Sequence, residues 1–173
     1  MEEVVLVDHL DNEIGTAEKL TAHRDGSLHR AFSIFLFNSK GEMLLQKRAA
    51  GKYHSANLWS NSCCSHPRPA ENLADAAHRR MREELGITTD LKWLLSFQYK
   101  IDFDNGLIEH ELDHVFVGQT DQPMLLNPDE VSEIKYINPE QLKKDIAVHP
   151  DQYTFWFKEL VDRVLDNYQP SIL

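Results

Sequence analysis

The chain has 173 residues, 42% of them hydrophobic and 27% charged, a size at which one domain buries a core without disulfides or a structural metal. Eighteen Lys and Arg against 28 Asp and Glu give a formal charge of -10, which argues against a nucleic-acid binder, because phosphate contacts require positive charge. Eight Phe, five Tyr and three Trp exclude disorder, and nothing in the composition points to a fibre or a disulfide-rich scaffold.

Residues 1–10, MEEVVLVDHL, have no basic n-region and no long apolar stretch, so neither a signal peptide nor a membrane span is expected. Val4–Val7 reads as a short strand, followed by a turn at Asp11-Asn12. Residues 31–37, AFSIFLF, are rich in aromatic and β-branched side chains and too short for a buried helix, so they read as a strand. Asn38-Ser39-Lys40-Gly41 makes a turn, and Glu42–Arg48 returns as a second strand. Residues 49–69 have no sustained period and contain Gly51, Pro67 and Pro69. Such a long loop in a compact domain is often functional.

Residues 70–85 carry the clearest helical pattern, with Leu73, Ala77, Met81 and Leu85 at intervals of four and Gly86 placed to end it. Leu91–Ile101 and Leu107–Val117 read as strands joined by a turn at Asp104-Asn105-Gly106, and Ile134–Ile137 as a short strand. Asn138-Pro139 fits cap and first residue of a helix to about Val148. A last helix is expected from about Gln152 to Tyr168, its aromatic stripe packing into the core. The expected fold class is α+β: one domain over residues 1–173, with an antiparallel or mixed sheet and helices against it.

Charge is unevenly distributed. Between Lys40 and Arg82 there are eight basic residues against three acidic ones, a local charge of +5 that leaves -15 to the rest. A basic island in an acidic chain suits a small anion such as a diphosphate, or else marks surface salt bridges. The two cysteines, Cys63 and Cys64, are adjacent and have no other partner, so both are expected to be reduced in a cytosolic setting.

Three of the nine histidines, His23, His29 and His66, fall outside any core pattern. Neutral imidazoles ligate zinc and other transition metals. Glu109 and Glu111, two apart on an expected strand, share one face. Either that face is wet or the pair binds a cation. His9, His54, His78, His110, His114 and His149 offer no similar reason for selection. In the helix, Arg79 with Glu83 and Arg80 with Glu84 form i, i+4 pairs in the order less favourable to the helix dipole, and a glutamate beside Mg2+ would give such carboxylates another use.

Ser65, Glu71, Arg79, Arg80, Met81, Glu83, Glu84, Gly86 and Ile87 match the spacing of the Nudix box, with Ser65 in place of its leading glycine and Arg80 in place of a glutamate. The second change removes a carboxylate from the cluster with which Nudix hydrolases cleave diphosphates. The stretch Trp59-Ser60-Asn61-Ser62-Cys63-Cys64-Ser65-His66-Pro67 resembles the catalytic-cysteine segment of type 1 isopentenyl-diphosphate isomerases, a branch of the Nudix fold. Glu109-His110-Glu111 resembles the E-x-E strand of that family.

The resemblance implies a Nudix-like mixed sheet core with flanking helices and a reversible conversion of isopentenyl to dimethylallyl diphosphate. A proton is added at C4 and one removed at C2, through a tertiary carbocation at C3. By position, Cys64 resembles the catalytic cysteine, Glu111 its partner and Tyr99 the tyrosine beside that glutamate; which of Cys64 and Glu111 protonates C4 stays open. His23, His29, His66, Glu109 and Glu111 resemble the ligands of one Zn2+ or Mn2+, and Glu84 that of a Mg2+ arriving with the diphosphate. Lys19, Arg48, Lys52 and Arg80 resemble the basic groups around the diphosphate, and Trp59 and Trp156 the aromatic walls around the hydrocarbon. The implied partner is a small allylic or homoallylic diphosphate, with no nucleic acid and no membrane, and a monomer is expected. A diphosphate hydrolase and a silent binding module on the same fold are the competing readings. Arg80 counts against the first, and the joint presence of Cys64, Tyr99, Glu109 and Glu111 against the second.

Overall fold

The computed structural model describes residues 2–172, among which nine strands form one mixed sheet flanked by four α-helices. The chain opens with β1 (Glu3–Val7), β2 (Glu13–Glu18) and α1 (Lys19–Asp25), then runs through β3 (His29–Phe37) and β4 (Met43–Arg48). Two very short strands, β5 (Trp59–Ser60) and β6 (Cys63–Ser65), lead into α2 (Leu73–Leu85). There follow β7 (Lys92–Asp102), β8 (Ile108–Gln119), β9 (Val131–Ile137), α3 (Pro139–Val148) and α4 (Phe155–Asn167).

β3 is the organising strand. Along its whole length it pairs in parallel with β8, and its other edge is shared antiparallel by β1 at His29, β6 at Phe32–Ile34 and β4 at Leu36 and Phe37. A parallel neighbour requires a crossover, and here the intervening chain carries α2. Strand alternation divides the core. Phe32, Ile34 and Leu36 pack with Ala77, Met81 and Leu85 of α2, whereas Phe35 and Phe37 pack with Trp156, Phe157 and Leu160 of α4. The sheet is thus buried on both faces, which explains the continuous apolar run AFSIFLF.

The elements expected from periodicity are present with small shifts. α2 begins at Leu73 because Asn72 caps it, accepting from the amides of Ala74 and Asp75, and Asn138 caps α3 with Pro139 in the first turn, as expected. β9 starts earlier than expected, at Val131, and α4 later, at Phe155. β2, α1, β5 and β6 were not expected. β2 is a largely exposed edge strand, and α1 has seven residues of which only Ala22 and His23 are buried. Neither contains enough apolar residues to show a period.

Candidate active site and metal centre

On β8, Glu109, Glu111 and Asp113 point to the interior and are buried, while His110 and His114 take the other face. β7 lays Tyr99 directly opposite Glu111. The Tyr99 hydroxyl lies 2.7 Å from Oε2 of Glu111 and 3.0 Å from Oε2 of Glu109. Its one proton can serve only one of them at a time, so the pair of short contacts is best satisfied when the two carboxyls share a further proton. Their environments push them apart accordingly. Burial and the neighbouring Glu111 raise Glu109 to about 8. Burial would raise Glu111 as well, but the imidazoles of His29 and His66 outweigh it and hold that carboxyl well below its ordinary value.

The histidines converge on these carboxylates from three elements. His23 is buried on α1 with Nδ1 2.7 Å from the carbonyl of Lys19, and His29 opens β3 with Nδ1 2.8 Å from the carbonyl of Ser27. Since a carbonyl only accepts, Nδ1 carries the hydrogen in both rings and Nε2 presents a lone pair. His66, just past β6, has Nε2 2.8 Å from Oε1 of Glu111, and His29 Nε2 is 3.4 Å from the same oxygen. Burial holds His66 down at about 4, and His54 down at about 3 with help from Arg48, so both rings are neutral at physiological pH.

Ligand atoms of His23, His29, His66 and Glu111 lie within 4.8 Å of one another, as do those of His23, His54 and Glu109. Among the described residues, Nε2 of His23, His29 and His54 and Nδ1 of His66 are buried without a hydrogen-bond partner. An unpaired buried polar atom costs about 1–3 kcal/mol. The unpartnered Nε2 atoms of His23, His29 and His54, with His66 Nε2 against Glu111, make a donor set of imidazoles and carboxylates suited to a divalent cation, and these residues fit one.

A cleft of about 520 Å³ opens beside this cluster. Cys64 lines it from β6, opposite Ser33 of β3, and Tyr99, Glu109 and Glu111 line it from β7 and β8. Part of Cys64 reaches the cleft, yet its walls exclude enough water that burial pushes the thiol up to about 12, although Arg48 Nη1 stands 3.9 Å from the sulfur. Cys63, one residue along the strand, points the other way into the α2 core and is completely buried.

Cations gather on the remaining wall. Lys19, Arg48, Lys52 and Arg80 all line the cleft, and Nε of Arg48 and of Arg80 are buried without a partner among the described residues. Lys52 Nζ is 2.6 Å from Oε2 of Glu130, Arg80 Nη2 is 3.0 Å from Oε1 of the same carboxylate, and Lys19 Nζ is 3.0 Å from Glu2. Burial would raise Glu130, but Lys52 and Arg80 override it and bring it to about 2. Trp156 is buried against the cleft with the Arg48 guanidinium 5.2 Å from its ring centroid.

Of the residues that the resemblance assigns to the substrate and its Mg2+, two do not line the cleft. Trp59 lies on β5 with Lys135 Nζ 4.1 Å over its ring, packed against the α4 core. Glu84 is buried beneath Arg80, whose Nη2 is 2.5 Å from Oε1, and its Oε2 accepts from Gln46 at 2.9 Å. Conversely, His54, Tyr53, Glu2 and Glu130 line the cleft and were passed over in the sequence. They sit in irregular or terminal segments with no spacing to mark them. The one clue was that Tyr53-His54 falls inside the basic island, within the long loop.

Residues 27–157 match the NUDIX domain family. The chain is 52% identical over 164 residues to Isopentenyl-diphosphate Delta-isomerase 2 of Aromatoleum aromaticum, covering 95% of this chain and 87% of that protein. The chain belongs to the type 1 isopentenyl-diphosphate Delta-isomerase family of the Nudix superfamily. A second relative of that name, from Photorhabdus laumondii, is 54% identical over 163 residues, 94% of this chain and 92% of its own length. Among solved structures, DR0079 from Deinococcus radiodurans superposes with a TM-score of 0.79 at 25% identity, covering 94% of this chain and 98% of that one. The MutT protein of Methanosarcina mazei gives 0.66 at 21% identity over 80% of this chain and 94% of its own, a likeness of fold. No helix among the described residues is long and apolar enough to cross a membrane.

Proposed function

We propose that the chain interconverts isopentenyl diphosphate and dimethylallyl diphosphate, with Cys64 and Glu111 as the two proton-transferring groups and Tyr99 as the residue that orients Glu111. One arrangement carries the reading: Cys64 and the Tyr99–Glu111 pair line the same cleft from strands on opposite edges of β3. An unactivated alkene gains a proton at C4 and loses another at C2, so donor and acceptor must flank it. In the free site the thiol is protonated and Glu111 is ionised, and reversal of the reaction exchanges their tasks. Each turnover moves one proton from one group to the other, and Tyr99, hydrogen-bonded to Glu111, gives that proton a route back.

His23, His29, His66, Glu109 and Glu111 would hold one divalent ion, Zn2+ or Mn2+, and Glu84 would hold a Mg2+ that accompanies the diphosphate once Arg80 turns from its Oε1 to the substrate. When bound, the ions fix and polarise the Glu111 carboxyl and neutralise phosphate charge. Lys19, Arg48, Lys52 and Arg80 bind the diphosphate, and the unpartnered Nε atoms of the two arginines are suited to its oxygens. The ring of Trp156 favours the tertiary carbocation, by about 2 kcal/mol in a dry site. Its burial, with that of Tyr99, excludes the water that would capture the cation as an alcohol. Trp59, if it serves the hydrocarbon end, does so only after Lys135 leaves its ring. The reading includes one domain over residues 1–173, acting as a monomer in the cytosol, where both thiols remain reduced.

The test is incubation with isopentenyl diphosphate, Mg2+ and either Zn2+ or Mn2+ in deuterated water, followed by proton NMR. Dimethylallyl diphosphate carrying deuterium in its new methyl group, and absent when a chelator is added, is the expected product. Phosphate release without isomer would instead reveal a hydrolase.

A further inference from the structure

His54 stands on the opposite side of the carboxylate pair from His29 and His66. Its Nε2 is 2.8 Å from Oε1 of Glu109, yet that nitrogen makes no hydrogen bond, because an N–H placed on it does not point along the contact. Nδ1 is 3.2 Å from the hydroxyl of Ser55, which can accept its hydrogen and so permits the tautomer with the lone pair on Nε2. The ring is buried and held on two faces, stacked on Phe103 at 4.7 Å and edge-on to Tyr53 at 4.3 Å. A lone pair and a carboxylate oxygen this close repel unless something positive lies between them. Two atoms each about 2.1 Å from one ion, at right angles, stand about 3 Å apart. The same signature marks His29 against Glu111, where Nε2 and Oε1 are 3.4 Å apart without a hydrogen bond from that nitrogen. His23 reaches both groups, since its ligand atom is within 4.8 Å of those of His54 and Glu109 and of those of His29, His66 and Glu111.

We infer that His54 is a direct ligand of the metal centre, contributing Nε2 beside Glu109 and His23. The inference rests on the metal reading above and extends the donor set into the long loop after β4. It ties that loop, which also carries Lys52 of the cationic wall, to the metal.

The experiment uses Co2+ and Zn2+ alone, without substrate. Unaltered protein, His54→Ala and His54→Gln are loaded with Co2+ to record the visible d–d absorption, and titrated with Zn2+ against a competing chelator. Circular dichroism establishes that each variant is folded, and the conservative Gln stands in should Ala fail. Loss of a ligand is expected to change the intensity and position of the Co2+ bands and to weaken Zn2+ binding by about tenfold or more in both variants, since even groups that only support a ligand contribute that much. Unchanged bands and affinity in the variants would overturn the inference. So would recovery of both by Gln, because an amide able to bond Glu109 would then suffice and His54 would be a positioning residue. If the unaltered protein bound neither ion, the metal reading would fail, and the role of His54 with it.

Discussion

At the scale of single residues, the alternation of a strand separates two adjacent cysteines into different chemical lives. β6 turns Cys63 into the α2 core and Cys64 to the cleft, where it shares space with Arg48 and the carboxylates of β8. Replacing Cys64 with Ala is therefore expected to abolish isomerisation with little change in unfolding midpoint. Cys63→Ala is expected to cost stability through the cavity it leaves while retaining most turnover; rates measured beside urea melts separate the two, and a dead Cys63 variant would reverse the assignment. Glu130 makes a second single-residue case. Its folded pKa of about 2, against an ordinary 4.5, means that its ion pairs with Lys52 and Arg80 stabilise the protein fully above pH 4.5 and lose that effect as pH falls from 4.5 towards 2. Glu130→Gln should accordingly be less stable than the unaltered protein at neutral pH, with the gap closing over that acid range. A gap that persisted at the acid end would assign the loss to packing instead.

At the scale of elements, legibility followed length and periodicity. The α2 stripe, the caps at Asn138 and Gly86 and the two-residue period of Glu109 and Glu111 are local patterns, and each appears where the residues imply it. α1 and the loop after β4 could not be read, because their buried groups are His23 and His54, held by partners distant in the chain rather than by an apolar face. Trp59 shows the converse: an aromatic in a recognisable segment was assigned to the cleft, but the pairing of β5 with β4 turns it towards Lys135. The end of α2 is where an element most directly supports the site. Gly86 has φ 69°, and a Cβ there would meet the Leu125 carbonyl oxygen at 2.7 Å. The same segment donates from Leu125 to Leu85 and from Asn127 to Glu84, closing the helix beneath Arg80. Gly86→Ala is expected to destabilise by about 2 kcal/mol or more, from the left-handed backbone and the contact with rigid main chain. Denaturant titration checks this, and an unchanged midpoint would show that the 125–127 segment yields freely.

At the scale of the whole molecule, the net charge of -10 conceals an arrangement in which cations and carboxylates are sorted around one cleft. Lys19, Arg48, Lys52 and Arg80 make one wall of that cleft, while surplus acid and buried imidazoles cluster beside it. A centre drawn from segments this far apart in the chain would bind only the folded state, so a bound ion would stabilise the fold by mass action, about 2.7 kcal/mol at a free concentration one hundred times Kd. For a chain of this size that corresponds to a rise in Tm of about 5–10 °C, which a chelator should remove and added Zn2+ or Mn2+ restore. The increment should also depend on pH in a definite sense. Glu109, raised to about 8 by burial and the neighbouring Glu111, holds a proton that the ion must displace, whereas His54 and His66 are already neutral well below neutrality. The metal-dependent part of Tm should therefore grow from pH 6 to pH 8 and level off above that. An increment independent of pH over this range would mean that the ion binds without Glu109.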